Sequence, residues 1–163
     1  GYDDKQKKQI EKASEKCAVF FTYNMSMGIN LLANLAKKAT EVLGSDFDIE
    51  IVEKHHNQKI DAPSGTALML ADAICEEIDE PVKYEYDRHS KREKRTKNEI
   101  GMHSVRGGTI VGEHEIIFAG RDEIITLSHS ARSKEIFAVG AVNAAVFMAG
   151  KSNGLYSMKD MIK

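Results

Sequence analysis

The sequence predicts an α+β fold in which a mixed, largely antiparallel sheet is flanked by helices, beside pieces of a second, α/β layer. Three observations lead there. Residues 100–131 run as successive period-two segments broken by Gly107-Gly108 and by "GRDE", a hairpin signal. Two stretches, 22–44 and 61–78, carry apolar residues at helical spacing. The chain also opens with a charged helical pattern that runs into a short apolar strand, "CAVFF", which is half of an alternating α/β unit.

The elements follow in order. Ile10, Ala13 and Cys17 give the first helix a narrow apolar face. In "TYNMSMGINLLANLAKKATEVLG", Ile29, Leu32, Ala36, Ala39 and Leu43 recur at helical period, and Gly44 supplies a stop. "FDIEIVEKHH" alternates and reads as a strand ending at the histidine pair. "DAPSGTALMLADAICEEI" places Ser64 at an N-cap ahead of the stripe Leu68, Ala71, Ile74, Ile78. "VKYEYD" is a short strand. Residues 87–99 hold six Lys or Arg and three acidic residues with no apolar period, which reads as a mobile surface loop. In the last strand, Ile125, Leu127 and His129 alternate with Thr126, Ser128 and Ser130, so one face is buried. "KEIFAVGAVNAAVFMAG" is expected as a well-buried helix and "GLYSMKDMIK" as a short terminal one.

Composition bounds the function. The 163 residues suffice for a sizeable core, and 42% hydrophobic with 29% charged residues is ordinary for a globular protein. A net charge of −2 gives no field that would draw nucleic acid or an anionic membrane, and no apolar run approaches a membrane span. Cys17 and Cys75 are too few for a disulfide framework. They are expected to pack as small hydrophobes in a reducing, cytoplasmic setting.

Chemistry concentrates in residues 53–67, "EKHHNQKIDAPSGTA". A helix opening Ser64-Gly65-Thr66 offers backbone N–H groups and a dipole that favours an anion, although Ser-Gly-Thr also serves as a plain cap. Lys59 adds a positive charge. His55 and His56 stand at a strand end, where ligand contacts gather, and imidazole exchanges a proton near neutral pH. A metal cluster of His55, His56, His103, His114 and His129 is the competing reading. It lacks HxxxH or HExxH spacing, and adjacent histidines on a strand face apart, so no metal is expected.

These residues resemble the bacterial dihydrodipicolinate (4-hydroxy-tetrahydrodipicolinate) reductases. The likeness lies in "EKHHNQKIDAPSGTA" and continues through "TYNMSMGINLL", "IGMHSVRGGTIVGEHEIIFAG" and "GLYSMKDMI", essentially the whole chain. The resemblance implies reduction of a cyclic unsaturated dicarboxylate by NADH or NADPH in lysine and diaminopimelate biosynthesis. It makes His55 the proton donor and Lys59 its companion, with His56, Ser64, Gly65 and Thr66 holding the substrate. Thr22, Tyr23, Asn24 and Met25 match a segment beside the nicotinamide. It further implies that 1–23 are a remnant of an N-terminal Rossmann-type domain, that 24–133 bind substrate and oligomerise, and that 134–163 pack toward that domain. The chain is then expected to be an inactive fragment of a longer protein, and the residue that chooses between the two cofactors lies outside it. A homotetramer built on strands in 100–131 is also implied. The chain departs from the family at 129–134, where it reads "HSARSK" and the family usually reads "HRASSR", and its 87–99 segment is unusually basic. A non-catalytic homo-oligomerisation module with vestigial site residues is the alternative.

Overall fold

The protein is described by a computed structural model covering residues 2–162. It divides into two compact units, one made of the chain up to Asn30 together with the chain from Glu135, the other of Leu31–Lys134.

In the first unit, α1 (Asp4–Ser14) starts in a capping box, where the Asp3 side chain accepts from the Gln6 N–H and the Gln6 side chain accepts from the Asp3 N–H. β1 (Ala18–Phe20) pairs in parallel with β7 (Gly154–Tyr156), and the four-residue α5 (Met158–Met161) follows. The stretch expected as one terminal helix is thus a strand and then a helical turn. Three residues are too few to show a period, and the partner strand lies at the other end of the sequence. Cys17, expected inside, is exposed, because it sits where α1 unwinds and its Sγ reaches the Ala13 carbonyl at 3.4 Å. α4 (Glu135–Met148) corrects a second expectation. Only Gly140 and Ala144 are buried, while Val139, Val142 and Val146 are 59%, 62% and 71% exposed. The helix is apolar all round, and within this unit only the stripe that meets its neighbours is covered. At Gly140 that contact is tight: a Cβ would come within 1.8 Å of the Met25 carbonyl oxygen.

The second unit holds a five-stranded mixed sheet of order β3-β4-β2-β5-β6, formed by β2 (Asp48–His55), β3 (Lys83–Glu85), β4 (Glu99–Arg106), β5 (Gly112–Ala119) and β6 (Ile124–Ala131). β2/β4 and β3/β4 run parallel, and the longer share of the ladder, β2/β5 and β5/β6, is antiparallel. The "GRDE" turn closes as read, with the Gly120 N–H donating to the Glu123 carbonyl at 2.9 Å. Gly107 and Gly108 carry the chain from β4 past the end of β2 to β5: Gly107 N–H bonds the His55 carbonyl and Gly108 has φ +48°.

One face of this sheet is covered. α2 (Met27–Leu43) buries Leu32, Ala36 and Thr40, and α3 (Gly65–Cys75) buries Ala67, Leu70, Ala71 and Ile74. The α3 stripe is rotated from the expected one, leaving Leu68 and Ile78 half-buried. Beneath lie cross-strand rows, Ile100–Ile49–Phe118–Ile125 and Met102–Ile51–Ile116–Leu127. Toward the C-terminal end of β2 the next row turns polar, as Ser104–Glu53–His114–His129. The opposite face carries the ion pairs of Lys54 with Glu113 and Glu115. The basic 87–99 segment is pinned rather than bare: Arg88 donates to Glu99, Lys91 pairs with Glu85, and Arg95 bonds both Glu50 and Asp48. Its carboxylate partners lie on strands whose proximity local sequence does not show.

Candidate active site

The polar row is where β2 ends. Alternation sends Glu53 and His55 to the helix-covered face and Lys54 to the other. Glu53 is 1% exposed and is satisfied from four directions. Its carboxylate accepts from Arg106 Nη1 at 2.8 Å and Nη2 at 2.6 Å, from the Ser64 N–H at 3.1 Å, and faces His55 Nδ1 at 2.5 Å. Burial by itself would push this carboxyl up. The hydrogen bonds from Arg106, Ser104 and His55 outweigh that and hold it at about 2, so Glu53 is ionised at neutral pH. An ionised carboxylate can only accept, so His55 Nδ1 bears the proton of this contact. Nε2 then carries the lone pair of the neutral ring, or the second proton of the charged one. It lies beside Gly112, where a Cβ would stand only 3.1 Å from it.

Arg106 also donates to the Asp61 carbonyl at 2.7 Å, which fastens the 56–63 loop to the sheet. The loop leads to Ser64, whose Oγ accepts from the Ala67 N–H at 3.1 Å as the expected N-cap and lies 3.1 Å from His114 Nε2. His114 is 4% exposed. Burial, and then the charge of His55, lower its pKa to about 4, so it is neutral at pH 7. Its ring meets that of His55 edge-on at 5.2 Å. Burial lowers the pKa of His129 in the same row.

The expected residues therefore sort as follows. His55 and Ser64 share one hydrogen-bonded network. Gly65 opens α3 with nothing within 4 Å of where its Cβ would be, so the helix N-terminus faces open space. Thr66 is the second residue of the same turn. Lys59 bonds Asp61 at 2.8 Å and lies close enough for its charge to act on His114. The His56 ring buries an Nδ1 without a partner among the described residues. His103 faces away, bonded to Glu50 at 2.7 Å on the opposite face. Thr22, Tyr23, Asn24 and Met25 belong to the other compact unit. There Thr22 donates to the Asn24 carbonyl at 3.2 Å, Asn24 Oδ1 accepts from the Ser26 N–H at 2.8 Å, and Tyr23 is exposed.

Glu53 and Arg106 were not among the expected site residues, and His114 figured only as a metal candidate. For Glu53 the signal was present, since it shares parity with Ile49 and Ile51, and a carboxylate on a buried face requires a cation. Arg106 and His114 reach the site only through strand pairing.

Residues 28–162 match the family model "Dihydrodipicolinate reductase, C-terminus". The chain belongs to this family. It is 56% identical to 4-hydroxy-tetrahydrodipicolinate reductase of Caldanaerobacter subterraneus subsp. tengcongensis, over all of this chain and 64% of that protein. Identity to the Clostridium novyi protein of the same name is 53%, with the same coverage. The solved dipicolinate-bound dihydrodipicolinate reductase of Paenisporosarcina sp. TG-14 superposes with a TM-score of 0.71 at 27% identity, covering 96% of this chain and 60% of that one. The chain thus spans about 64% of the length of the curated relatives it matches. The matched span contains the whole Glu53–His55–Ser64–Arg106–His114 network of this dihydrodipicolinate reductase family member, while Thr22–Met25 lie outside it.

Proposed function

We propose that these residues form the substrate side of an NAD(P)H-dependent reductase that converts 4-hydroxy-tetrahydrodipicolinate to tetrahydrodipicolinate in lysine and diaminopimelate biosynthesis. The observation that carries the reading is His55 held against a buried carboxylate beside the open N-terminus of α3. A substrate carboxylate at Gly65 and Thr66 would meet backbone N–H groups and the positive helix end. Lys59 would exchange Asp61 for a substrate carboxylate, with His56 lining the same loop. His55 would deliver a proton from Nε2 to the carbon made electron-rich by reduction, and Glu53 would stabilise the imidazolium beforehand.

NADH or NADPH, when bound, supplies the hydride. The described residues suit only one end of such a cofactor. Thr22–Met25 offer an exposed aromatic ring and backbone, but the loop between β1 and α2 has no glycine, and the Ile29 N–H at its helix start is already taken by Ser26 Oγ. The 163 residues contain no G-x-G-x-x-G run either, so we assign diphosphate binding, and with it turnover, to the part of the relatives that this chain does not span. On this reading residues 1–23 and 134–163 go with the nucleotide side and 24–133 with the substrate, in a cytoplasmic enzyme. No helix among the described residues is long and apolar enough to cross a membrane.

We further propose a homotetramer. β6 is an eight-residue sheet edge without a charge or proline, which leaves a row of backbone groups ready to pair with another copy.

Kinetics test the chemistry in a protein that joins these residues to the relatives' nucleotide-binding part. His55→Ala should lower kcat about 10²–10⁴-fold with little change in KM. Lys59→Ala should raise KM and lower kcat together. Near-normal kcat in a folded His55→Ala variant would remove His55 as the acid and move that role to Lys59 or water, whereas a folded joined protein without any turnover would favour the non-catalytic oligomerisation reading.

A further inference from the structure

We infer that Glu53, clamped by Arg106, is a positioning residue that fixes the tautomer and ring orientation of His55. The inference rests on the reading of His55 as the proton donor. His55 alone has a ring that could turn about its side-chain bonds and carry its neutral-state proton on either nitrogen. Glu53 removes both freedoms, because it is immobile. Two guanidinium N–H groups of Arg106 and the Ser64 N–H hold its carboxylate in the sheet, and Arg106 is itself tied to the Asp61 carbonyl. One carboxylate oxygen, Oε1, takes Ser64 and Arg106 Nη2, which leaves Oε2 for Arg106 Nη1 and His55 Nδ1.

Two features separate this from a purely structural ion pair. The contact to His55 Nδ1, at 2.5 Å, is shorter than those to Arg106 and the Ser64 N–H, and the carboxyl stays ionised despite its burial. The other side of the ring is also set: Gly112 leaves space beside Nε2, and His114 packs edge-on. The proton is thereby kept on the nitrogen facing the protein, and the exchanging position is Nε2. This is the arrangement in which a partner orients an imidazole that does the chemistry.

The division of labour within Glu53 predicts the effect of an isosteric change. In Glu53→Gln the amide oxygen should occupy the Oε1 position, where both donors are fixed, and the amide NH₂ should take the Oε2 position, where it displaces Arg106 Nη1 and faces His55, the one partner that can change tautomer. A donor facing Nδ1 forces the neutral ring into the Nε2–H tautomer. Nitrogen-15 NMR of imidazole-labelled chain should therefore show neutral His55 protonated at Nδ1 in the wild type and at Nε2 in Glu53→Gln. In the protein that contains both halves, the same variant should lose about 10–100-fold in kcat with KM changed less than about threefold. A neutral wild-type His55 protonated at Nε2 would overturn the inference even if the variant failed to fold. So would an Nδ1–H tautomer and near-normal kcat in folded Glu53→Gln. The reading of His55 as the acid fails separately, by near-normal kcat in His55→Ala, an outcome that leaves the tautomer result standing.

Discussion

Arg106→Met tests the energetics of the network directly. The substitution removes two hydrogen bonds to Glu53, at 2.8 and 2.6 Å, and one to the Asp61 carbonyl at 2.7 Å, and it leaves a carboxylate that is 1% exposed. Charge-assisted bonds contribute about 1.5–3 kcal/mol each, and removing one partner of a buried pair costs about 3–5 kcal/mol. His55, Ser104 and the Ser64 N–H still donate to Glu53, so the loss should fall near the lower end, about 3 kcal/mol at pH 7. With a urea m-value of about 1–3 kcal/mol/M, the unfolding midpoint should drop by about 1–3 M at unchanged m. Acid should narrow the gap. In the wild type the lowered Glu53 pKa contributes stability that is complete above about 4.5 and is lost as pH falls toward about 2. Without Arg106, burial pushes Glu53 up, and the variant recovers stability as the carboxyl takes a proton. Adding Glu53→Gln to Arg106→Met should restore much of the loss, since no unpaired charge remains. A destabilisation under about 1 kcal/mol at pH 7, or a gap that stays constant from pH 7 to pH 4, would refute this account of the pair.

Two further outcomes are expected. His114 is held at about 4 against an ordinary 6.5, so below pH 6.5 the unfolded chain binds a proton that the native state refuses. Stability should fall by about 3 kcal/mol between pH 6.5 and 4 at 1.36 kcal/mol per unit, and a folded His114→Gln variant with the same acid limb in urea titrations would contradict this. If the uncharged β6 edge joins copies of the chain, light scattering at micromolar concentration should show a dimer or tetramer; a monomer alone would remove the assembly proposal.

Much of the second unit was legible residue by residue. The alternation of Ile49, Ile51 and Glu53, the Ser64 cap and the Gly120–Glu123 hairpin are settled by neighbours one to four positions away, the range over which strand parity and caps act. The motif around His55 and Lys59 was legible for the same reason, as one contiguous loop between a strand end and a helix start. What the tertiary structure alone decided is which strands lie side by side. β4 and β5 flank β2, and that placement brings Arg106 onto Glu53 across 53 positions of sequence and His114 onto Ser64 across 50. The same applies to β7, visible only through its pairing with β1, and to α4, whose apolar residues do not say which of them will be covered. Local periodicity states which way a side chain points. What it meets there depends on contacts between distant segments, whose free energy is realised only when the sheet closes and water leaves it.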